Sequence, residues 1–449
     1  METEKLNFWR KALYSSGSVG LNIVSLSVSS WLLYFYVPPS DRADLVSYAP
    51  AGLVGLVLFV AGLWDGVIDP FLGHWSDGLK SRWGRRRPFL MFGTPVMVVA
   101  MVLLWTPPVR GESVVNVAYL FVVAALYYTA FSAVGMPYDG TLPEMAPDTH
   151  ERVKLSTWKM IFGIIGFVGG SLTVPMLWES LGPLGMGVAV AVIGLVSMYL
   201  VLIVLREPEY AKHQQPMPAW EAFRATFTNG QFLVFFFATL LIHVSYAIIL
   251  AISPYFVTQV VGGAEGDVTI FQGLLVLLMI LCAPFWIWVR AKFRDKWVIT
   301  AAMALMGVTL ALNFVVPSAP ATGEAAFMPG LLIFPLTAFP ISGYLIMAYA
   351  MMGNVVDYDE MLTGRRREAI YYGNFSLATN AGSAVAAALL PVMLKTFGDT
   401  RANPMGIRLS FILAGAMALA AAVVFLGYRL GDTPDETRRL MGLQLGPDI

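Results

Sequence analysis

The sequence predicts an all-α membrane protein with twelve transmembrane helices arranged as two six-helix bundles. Hydrophobic residues make up 57% of its 449 residues and charged residues only 13%, and the mean hydropathy is +0.68. These values lie far outside the range of soluble globular chains. Apolar segments recur along the whole chain, and the basic residues are concentrated in every second connection, as expected for an even number of membrane crossings.

Each predicted helix is a run of about 20 mostly apolar residues, the length that crosses the hydrocarbon core of a bilayer. In the first half these runs lie at 12–36, 50–73, 88–106, 114–137, 156–178 and 184–205. In the second half they lie at 231–257, 268–289, 297–316, 328–352, 370–394 and 406–428. The longest hydrophilic interruption falls between the halves and contains helix-breaking prolines. The predicted domains are therefore an N-terminal bundle (1–205), a central cytoplasmic linker (206–230), a C-terminal bundle (231–428) and a cytoplasmic tail (429–449).

The basic residues predict the orientation. Under this scheme 24 of the 29 Lys and Arg residues fall on the side that holds both termini and the linker. The positive-inside rule assigns that side to the cytoplasm, and the compact loops favour a bacterial cytoplasmic (inner) membrane. The first apolar run is long enough to span and no small-residue cleavage site precedes it, so we expect a first helix rather than a cleaved signal. Two halves of six helices resemble the architecture of the major facilitator superfamily.

Two acidic residues in the second predicted helix are the strongest functional signal. Asp65 and Asp69 are four residues apart and so share one face of a helix. Each ionisable group at membrane depth costs about 2.5–3.5 kcal/mol, so its presence points to function. Two adjacent carboxylates in a low dielectric share a proton, bind a cation or pair with a base. The alternative is that both acids only hold helices together.

Three sequence motifs resemble one family of transporters. They are WDGVIDPFLG followed by SRWGRRRPF, then MPYDGTLPEMAPDTHERVKLSTWKMIFG, and NVVDYDEMLTGRRREAIYYG in the second half. They are similar to the signatures of the glycoside–pentoside–hexuronide:cation symporters, the melibiose permease family. This resemblance implies that Asp65 and Asp69, with Ser132 of the fourth helix, bind the coupling cation, which is Na⁺, Li⁺ or H⁺ by member. The two aspartates would be metal ligands only if the cation is Na⁺.

The sequence also departs from the family. Ile68 replaces an asparagine, which removes one oxygen from the cation shell and favours H⁺. The family's sugar-binding charges fall on Asn22, Gly135, Met160 and Asn380, so none is kept at its own position.

The remaining solute-site candidates are mostly neutral hydrogen-bonding groups, which suit an uncharged, hydroxyl-rich solute. Asp139 occupies a family tryptophan position and could pair with Lys159 or line the pocket. The predicted solute-binding residues are Asn22, Tyr128, Asp139, Lys159 and Asn380.

Charged loop residues of the two halves suggest a cytoplasmic gate. We expect ion pairs that form when the transporter opens outward and break when it opens inward; simple topology control by the arginines is the alternative. The predicted gate residues are Asp77, Arg82, Arg152, Asp357, Arg366 and Glu368. Outside the gate, we expect His243 to be a bonded structural residue rather than a proton relay, and Trp286 and Trp288 to belong to an interfacial aromatic belt.

These observations predict a secondary active transporter that couples entry of H⁺ or Na⁺ to uptake of a small polar solute, a sugar or glycoside. An amphipathic solute such as a lysolipid, carried by animal relatives of the family, is the alternative. A membrane-embedded lipid enzyme is disfavoured because the sequence contains no nucleophile or metal-ligand motif. We expect no cofactor beyond the monovalent coupling cation, no nucleic-acid partner, contact with membrane lipid, and function as a monomer.

Overall fold

The computed structural model describes residues 6–79, 81–146, 148–205, 226–318, 324–364 and 368–442, without the side chains at 70, 74, 77, 149, 324, 325, 368 and 369. The regular secondary structure of these ranges is helical. In the first half the helices are α1 (Phe8–Tyr36), α2 (Ala51–Gly78), α3 (Arg87–Leu103), α4 (Val114–Gly140), α5 (Leu142–Met145) and α6 (Thr149–Val204). In the second half they are α7 (Gly230–Tyr255), α8 (Val268–Arg290), α9 (Asp295–Leu312), α10 (Glu324–Ile333), α11 (Ala338–Thr363), α12 (Glu368–Phe397), α13 (Met405–Phe425) and α14 (Pro434–Met441).

Helix α6 contains the fifth and sixth predicted spans. It is 56 residues long, and at a rise of about 1.5 Å per residue it would measure about 84 Å if it were straight, against roughly 30 Å for the hydrocarbon core. Gly182 interrupts it with φ 71° and ψ 177°, and Pro183 follows. A positive φ of this kind suits glycine alone, and a residue before proline avoids the helical region. The break lies where the sequence predicted it, between 178 and 184.

The described helices account for all twelve predicted crossings. Ten helical segments are individually long and apolar enough to span a membrane, with α6 counted once and α10 and α11 forming one segment through the 3₁₀ turn Phe334–Thr337. The second arm of α6 is the eleventh crossing. The twelfth is α3, which is apolar but only 17 residues long. The predicted fold class is confirmed.

The chain divides into two compact units. The first contains the described parts of 1–217 together with 253–258 and 263–273, and the second contains the described parts of 218–252, 259–262 and 274–449. The domain boundaries predicted from the sequence remain predictions.

In the first unit, glycines allow α1 to lie against both arms of α6. A Cβ atom built on Gly166 would lie 2.7 Å from the Val19 carbonyl oxygen, and one built on Gly20 would lie 2.9 Å from Cβ of Ser197. Helices α2 and α3 both pack along α4. Helix α1 is more buried in the protein than α4, and α4, which packs against both α2 and α3, is the element that carries Ser132.

In the second unit, α9 packs against α11 and α13, and α14 is fastened to the start of α9. Arg290 binds Asp295 through two hydrogen bonds of 2.9 and 3.0 Å, and the Asp295 amide donates to the Asp432 carboxylate at 3.1 Å. Arg294 forms an ion pair with Glu436 at 3.0 Å. Burial raises the pKa of the Asp432 carboxyl. The described part of the tail is thus folded onto its own unit.

We predict that Gly182→Ala lowers the stability of the protein by about 1–3 kcal/mol, because the alanine Cβ is strained at this φ and ψ. The measurement is thermal unfolding of the purified protein in detergent. Gly52→Ala in the first turn of α2 is the matched control, since neither glycine has any atom within 4 Å of an added Cβ and only Gly182 has a positive φ. Equal melting points for the two variants would contradict the prediction.

Candidate functional site

Two hydrogen bonds join the acidic segment of α2 to α4. The Ser132 hydroxyl donates to Oδ1 of Asp65 at 2.8 Å, and the Trp64 indole N–H donates to the Thr129 hydroxyl at 2.8 Å. Thr129 in turn donates to the backbone carbonyl of Ala125 at 2.7 Å. Because the two bonded residues of α4 lie about one turn apart, the bonds fix the position of α2 along and around α4.

Asp69 lies one turn beyond Asp65 and is 8% exposed. The two carboxylates are close enough for their charges to interact, and Ser132 beside them is only 4% exposed. The structure therefore brings the three predicted cation-site residues together in a largely buried place. Two carboxylates and a hydroxyl offer oxygen ligands that can take up a proton or a monovalent cation.

Two tyrosines of α4 flank Asp65. Tyr127 is 2% exposed and Tyr128 is half-buried, and both interact electrostatically with Asp65. Tyr128, a predicted solute residue, thus lies within electrostatic range of the predicted cation site. Tyr127 was not singled out from the sequence, because an apolar helix with two adjacent tyrosines does not show which ring is turned toward α2.

Asp139 and Lys159 form an ion pair, one of the two arrangements that the sequence left open. The Lys159 ammonium also lies 4.3 Å from the centroid of the Tyr138 ring. The Asp139 side chain is 64% exposed, whereas that of Lys159 is 20% exposed. A cation over an aromatic face is stabilised by the ring quadrupole, so Lys159 keeps a second partner if Asp139 moves away.

The Tyr138 ring is fixed to α1. Its hydroxyl donates to the Tyr14 carbonyl at 2.9 Å, and the Tyr14 hydroxyl donates to the Tyr138 carbonyl at 3.1 Å. Ser18 Oγ lies 3.1 Å from the Tyr138 hydroxyl, and the Asn22 amide donates to the Ser18 carbonyl at 2.8 Å. One network therefore links Asn22 on α1 to Lys159 on α6 through α4. No sequence pattern indicated the reciprocal Tyr14–Tyr138 bonds, which depend on how the helices pack.

Asn380 lies half-buried in α12, in the second unit. His243 is in that unit too, and its Nδ1 lies 3.0 Å from the Thr239 carbonyl and 3.3 Å from the Tyr344 hydroxyl. A Cβ on Gly382 of α12 would lie 2.8 Å from Cβ of His243, so α12 is pressed against α7 at this point. These are the contacts of the bonded, packed histidine that the sequence analysis expected.

The expectation for Trp286 is wrong. Its side chain is 2% exposed and its indole N–H donates to the Phe339 carbonyl at 2.7 Å, in a contact between α8 and α11. Trp288 is 54% exposed and carries Lys292 over its ring at 3.9 Å, as an interfacial residue would. Two tryptophans separated by one position point to different sides of a helix, and the sequence did not show which side faced the protein.

The predicted gate stays a prediction. Arg366 lies outside the described residues, as do the side chains of Asp77 and Glu368. The Arg82 guanidinium lies 4.3 Å from the Trp83 ring centroid, and Arg152 donates to the Ala146 carbonyl at 3.2 Å. Asp357 is half-buried in α11.

A buried ionic cluster that the sequence analysis missed lies in the first unit. Glu144 of α5 is 8% exposed and binds Arg85 at 2.5 Å and Arg86 at 3.0 Å. Arg86 also donates to the Gly140 carbonyl at the end of α4. The signal was present in the sequence, since Glu144 lies within the motif MPYDGTLPEMAPDTHERVKLSTWKMIFG and the loop before α3 holds several arginines.

Comparison with known proteins agrees with this architecture. The model of a family described as "MFS/sugar transport protein" matches residues 13–430. The chain belongs to this family. An inner membrane symporter of Escherichia coli, YicJ, is 25% identical over 88% of this chain and 84% of its own length. The sphingosine-1-phosphate transporter MFSD2B of Xenopus tropicalis is 24% identical over 93% of this chain and 85% of its own. Among solved structures, a D-xylose–proton symporter has a TM-score of 0.68 at 15% identity, over 95% of this chain and 99% of the other.

Glu144→Gln is expected to destabilise the protein by about 3–5 kcal/mol, because it removes a buried negative charge that both Arg85 and Arg86 bind. Thermal unfolding in detergent measures the effect. The matched control is Glu112→Gln, an exposed glutamate that accepts a hydrogen bond from Ser47 at 2.8 Å and should change stability by no more than about 0.5 kcal/mol. If Glu144→Gln unfolds at the same temperature as the control, the cluster contributes nothing to the fold.

Proposed function

We propose that this protein is a secondary active transporter that couples the entry of a monovalent cation to the uptake of a sugar or glycoside. The observation that carries the proposal is the pair of adjacent carboxylates, Asp65 and Asp69, with the Ser132 hydroxyl bonded to one of them. Charged groups within an apolar helix are expensive, and their presence there points to a path for an ion or a substrate. The family match supports transport, and its description includes sugar transport.

In this mechanism the cation and the solute favour the same state of the carrier. A cation or proton on Asp65 and Asp69 neutralises charge that would otherwise stay in a low dielectric, and Ser132 supplies a further oxygen. If binding of each ligand stabilises the same conformation, the free energy of one binding event assists the other, and the coupling is reciprocal. Alternating access then releases both on the other side.

The loss of one oxygen ligand at Ile68 favours H⁺ over Na⁺. The described site offers two carboxylates and one hydroxyl, and Ile68 contributes no ligand. A hard cation such as Na⁺ needs several oxygen ligands, whereas a proton needs only one carboxylate. Uptake driven by an imposed gradient of each cation in turn distinguishes the two.

For the solute, we propose recognition by Asn22, Tyr128, Asn380 and the pair formed by Asp139 and Lys159. Amide and phenol groups each donate and accept hydrogen bonds, which suits sugar hydroxyls. The ion pair supplies an acceptor and a donor with full charges, and charge-assisted hydrogen bonds are about twice as strong as neutral ones. The exposed Asp139 carboxylate is the group of this pair that a solute can reach first.

An amphipathic solute is the second candidate. It is supported by the similarity to the sphingosine-1-phosphate transporter of Xenopus. In that case we expect Lys159 to bind the anionic headgroup, with Asp139 released from the pair. We place this candidate second because the family description names sugar and the remaining predicted solute residues are neutral and polar.

We predict that Asp69→Asn abolishes concentrative uptake, with an accumulation ratio near unity, while exchange of solute down its own gradient persists. The amide keeps the shape of the side chain but can neither take up a proton nor balance a cation. The measurement is radiolabelled uptake and counterflow in proteoliposomes under an imposed Na⁺ or H⁺ gradient. Ser132→Ala should weaken the cation dependence and keep transport.

Asp435→Asn is the matched control for this experiment, since Asp435 is an exposed aspartate of α14 with a side chain that is 73% exposed. It should accumulate solute as the unchanged protein does. Normal accumulation by Asp69→Asn would refute the proposed cation site. If uptake by the unchanged protein does not depend on a cation gradient, coupling itself is refuted.

The solute class is tested by the melting temperature of the purified protein with mono- and disaccharides, glycosides and lysolipids, each with and without Na⁺ and at two pH values. A ligand that binds the folded state raises the melting point by mass action. We expect a sugar or glycoside to stabilise more strongly with the cation, and Lys159→Met to reduce that shift. Stabilisation by lysolipids alone would overturn the sugar proposal and keep the fold.

A further inference from the structure

An apolar groove runs between α2 and α3 on the surface of the first unit, with α4 as its floor. Leu72, Trp75 and Leu79 form one wall at spacings of three and four residues. These spacings place the three side chains on one face of α2. The opposite wall comes from α3, and its lining residues Phe89, Phe92 and Val96 have the same spacings. Two helical faces thus line the groove over about 10 Å of helix length.

Most residues of the floor are small. Leu126, Thr129, Ala130 and Ala133 lie on one face of α4, and Gly93 opens the wall of α3 beside them. The groove has a volume of about 380 Å³. Thr129 is the hydroxyl among these residues, and it already donates to the Ala125 carbonyl and accepts from the Trp64 indole. The Thr129 hydroxyl therefore has no hydrogen left to donate, and the lining around it is almost wholly apolar, which suits a hydrocarbon chain.

A cation is held at the end of the groove. Trp83, in the loop before α3, packs edge-to-face on the groove residue Phe92 with ring centroids 5.8 Å apart. The Arg82 guanidinium lies 4.3 Å from the Trp83 centroid. Trp75 and Phe89 make a similar contact across the two walls, with centroids 5.3 Å apart. Aromatic side chains of this kind sit at headgroup level in membrane proteins.

The charge of Arg82 is available for a ligand. Arg85 and Arg86 bind Glu144, and Arg87 donates to the Leu202 carbonyl at 3.2 Å. Arg82 forms no ion pair with any side chain that the structure describes, and it is exposed. The loop is predicted to be cytoplasmic, where anionic lipids create a negative surface potential that attracts basic residues.

We propose that this groove binds one acyl chain of an anionic glycerophospholipid from the cytoplasmic leaflet, with the lipid phosphate on Arg82. The groove covers roughly the outer third of the hydrocarbon core, so it holds the part of the chain next to the headgroup. A basic residue at one end of the groove and apolar walls along the rest of it suit a ligand with an anionic headgroup and a hydrocarbon chain. Lipid binding here does not depend on the proposed transport function, although Arg82 is also one of the predicted gate residues.

The lipid would touch the far side of the cation site. Thr129 belongs to the groove floor and accepts the bond from Trp64, the neighbour of Asp65. Ala133 lies in the floor next to Ser132 in sequence. A chain in the groove would exclude water from the outer surface of this part of α4 and support the packing of α2 on α4.

The test is the melting temperature of the purified full-length protein titrated with phosphatidylglycerol, phosphatidylcholine of the same acyl chains, and glycerol phosphate without chains. We expect stabilisation by phosphatidylglycerol above that by phosphatidylcholine, and none by glycerol phosphate. Arg82→Gln should weaken the apparent affinity for phosphatidylglycerol about fivefold, the equivalent of roughly 1 kcal/mol for one basic residue at the membrane surface, and leave phosphatidylcholine unchanged. Arg110→Gln, an exposed arginine of the loop before α4, should keep the preference.

The groove itself is tested by filling it. Leu126→Trp places a larger ring in the groove from a side chain that is 40% exposed, so it does not disturb the core, and should abolish stabilisation by both phospholipids. Val122→Trp is the control on the same helix one turn away, at a position 63% exposed and outside the groove lining. The proposal fails if Leu126→Trp and Val122→Trp respond alike, if Arg82→Gln and Arg110→Gln respond alike, or if glycerol phosphate stabilises as well as the lipid does.

Discussion

The contact between α2 and α4 is the constraint on which the first unit depends. Helix α2 carries two carboxylates through an apolar environment, and it does so while bonded to α4 at Asp65 and Trp64. Without these bonds the acidic face could rotate toward lipid, where a charge has no partner. The same pairing gives α4 two distinct faces, one with Ser132 at the carboxylates and one with small residues that form the floor of the apolar groove. One helix pair thus separates a polar site from the bilayer.

Much of the fold could be predicted from the sequence because the membrane permits few solutions. Backbone polar groups must be satisfied inside the bilayer, so long apolar runs become helices. The gap between the predicted spans 156–178 and 184–205 contains the break of α6 at Gly182, and the acidic pair at 65 and 69 marked one candidate site. The sequence did not determine which face of each helix is turned inward. Trp286 was therefore misplaced, and the Tyr14–Tyr138 bonds and the Arg85–Glu144 pair were not foreseen.

The sequence indicated some candidate-site residues much more clearly than others. Asp65 and Asp69 stood out because charge is rare at membrane depth, whereas Asn22 and Tyr128 resemble many other polar residues in helices. The Asp139–Lys159 pair was one of two open arrangements, since residues twenty positions apart on different helices meet only through tertiary packing. Resemblance to a family pointed directly to the candidate cation site and gave little guidance on the solute site, because the family's sugar-binding charges are absent at the matching positions.

The position of Lys159 has a mechanical consequence. Its ammonium lies over the ring of Tyr138, and Tyr138 is hydrogen-bonded to Tyr14 of α1. Helices α1, α4 and α6 therefore meet close to this one charge. A solute that displaces Asp139 would change the charge interactions of Lys159, and with them the contacts among these three helices. Solute binding would then change contacts inside the helix bundle, with no loop movement required. A small ligand could in this way alter the packing of three whole helices.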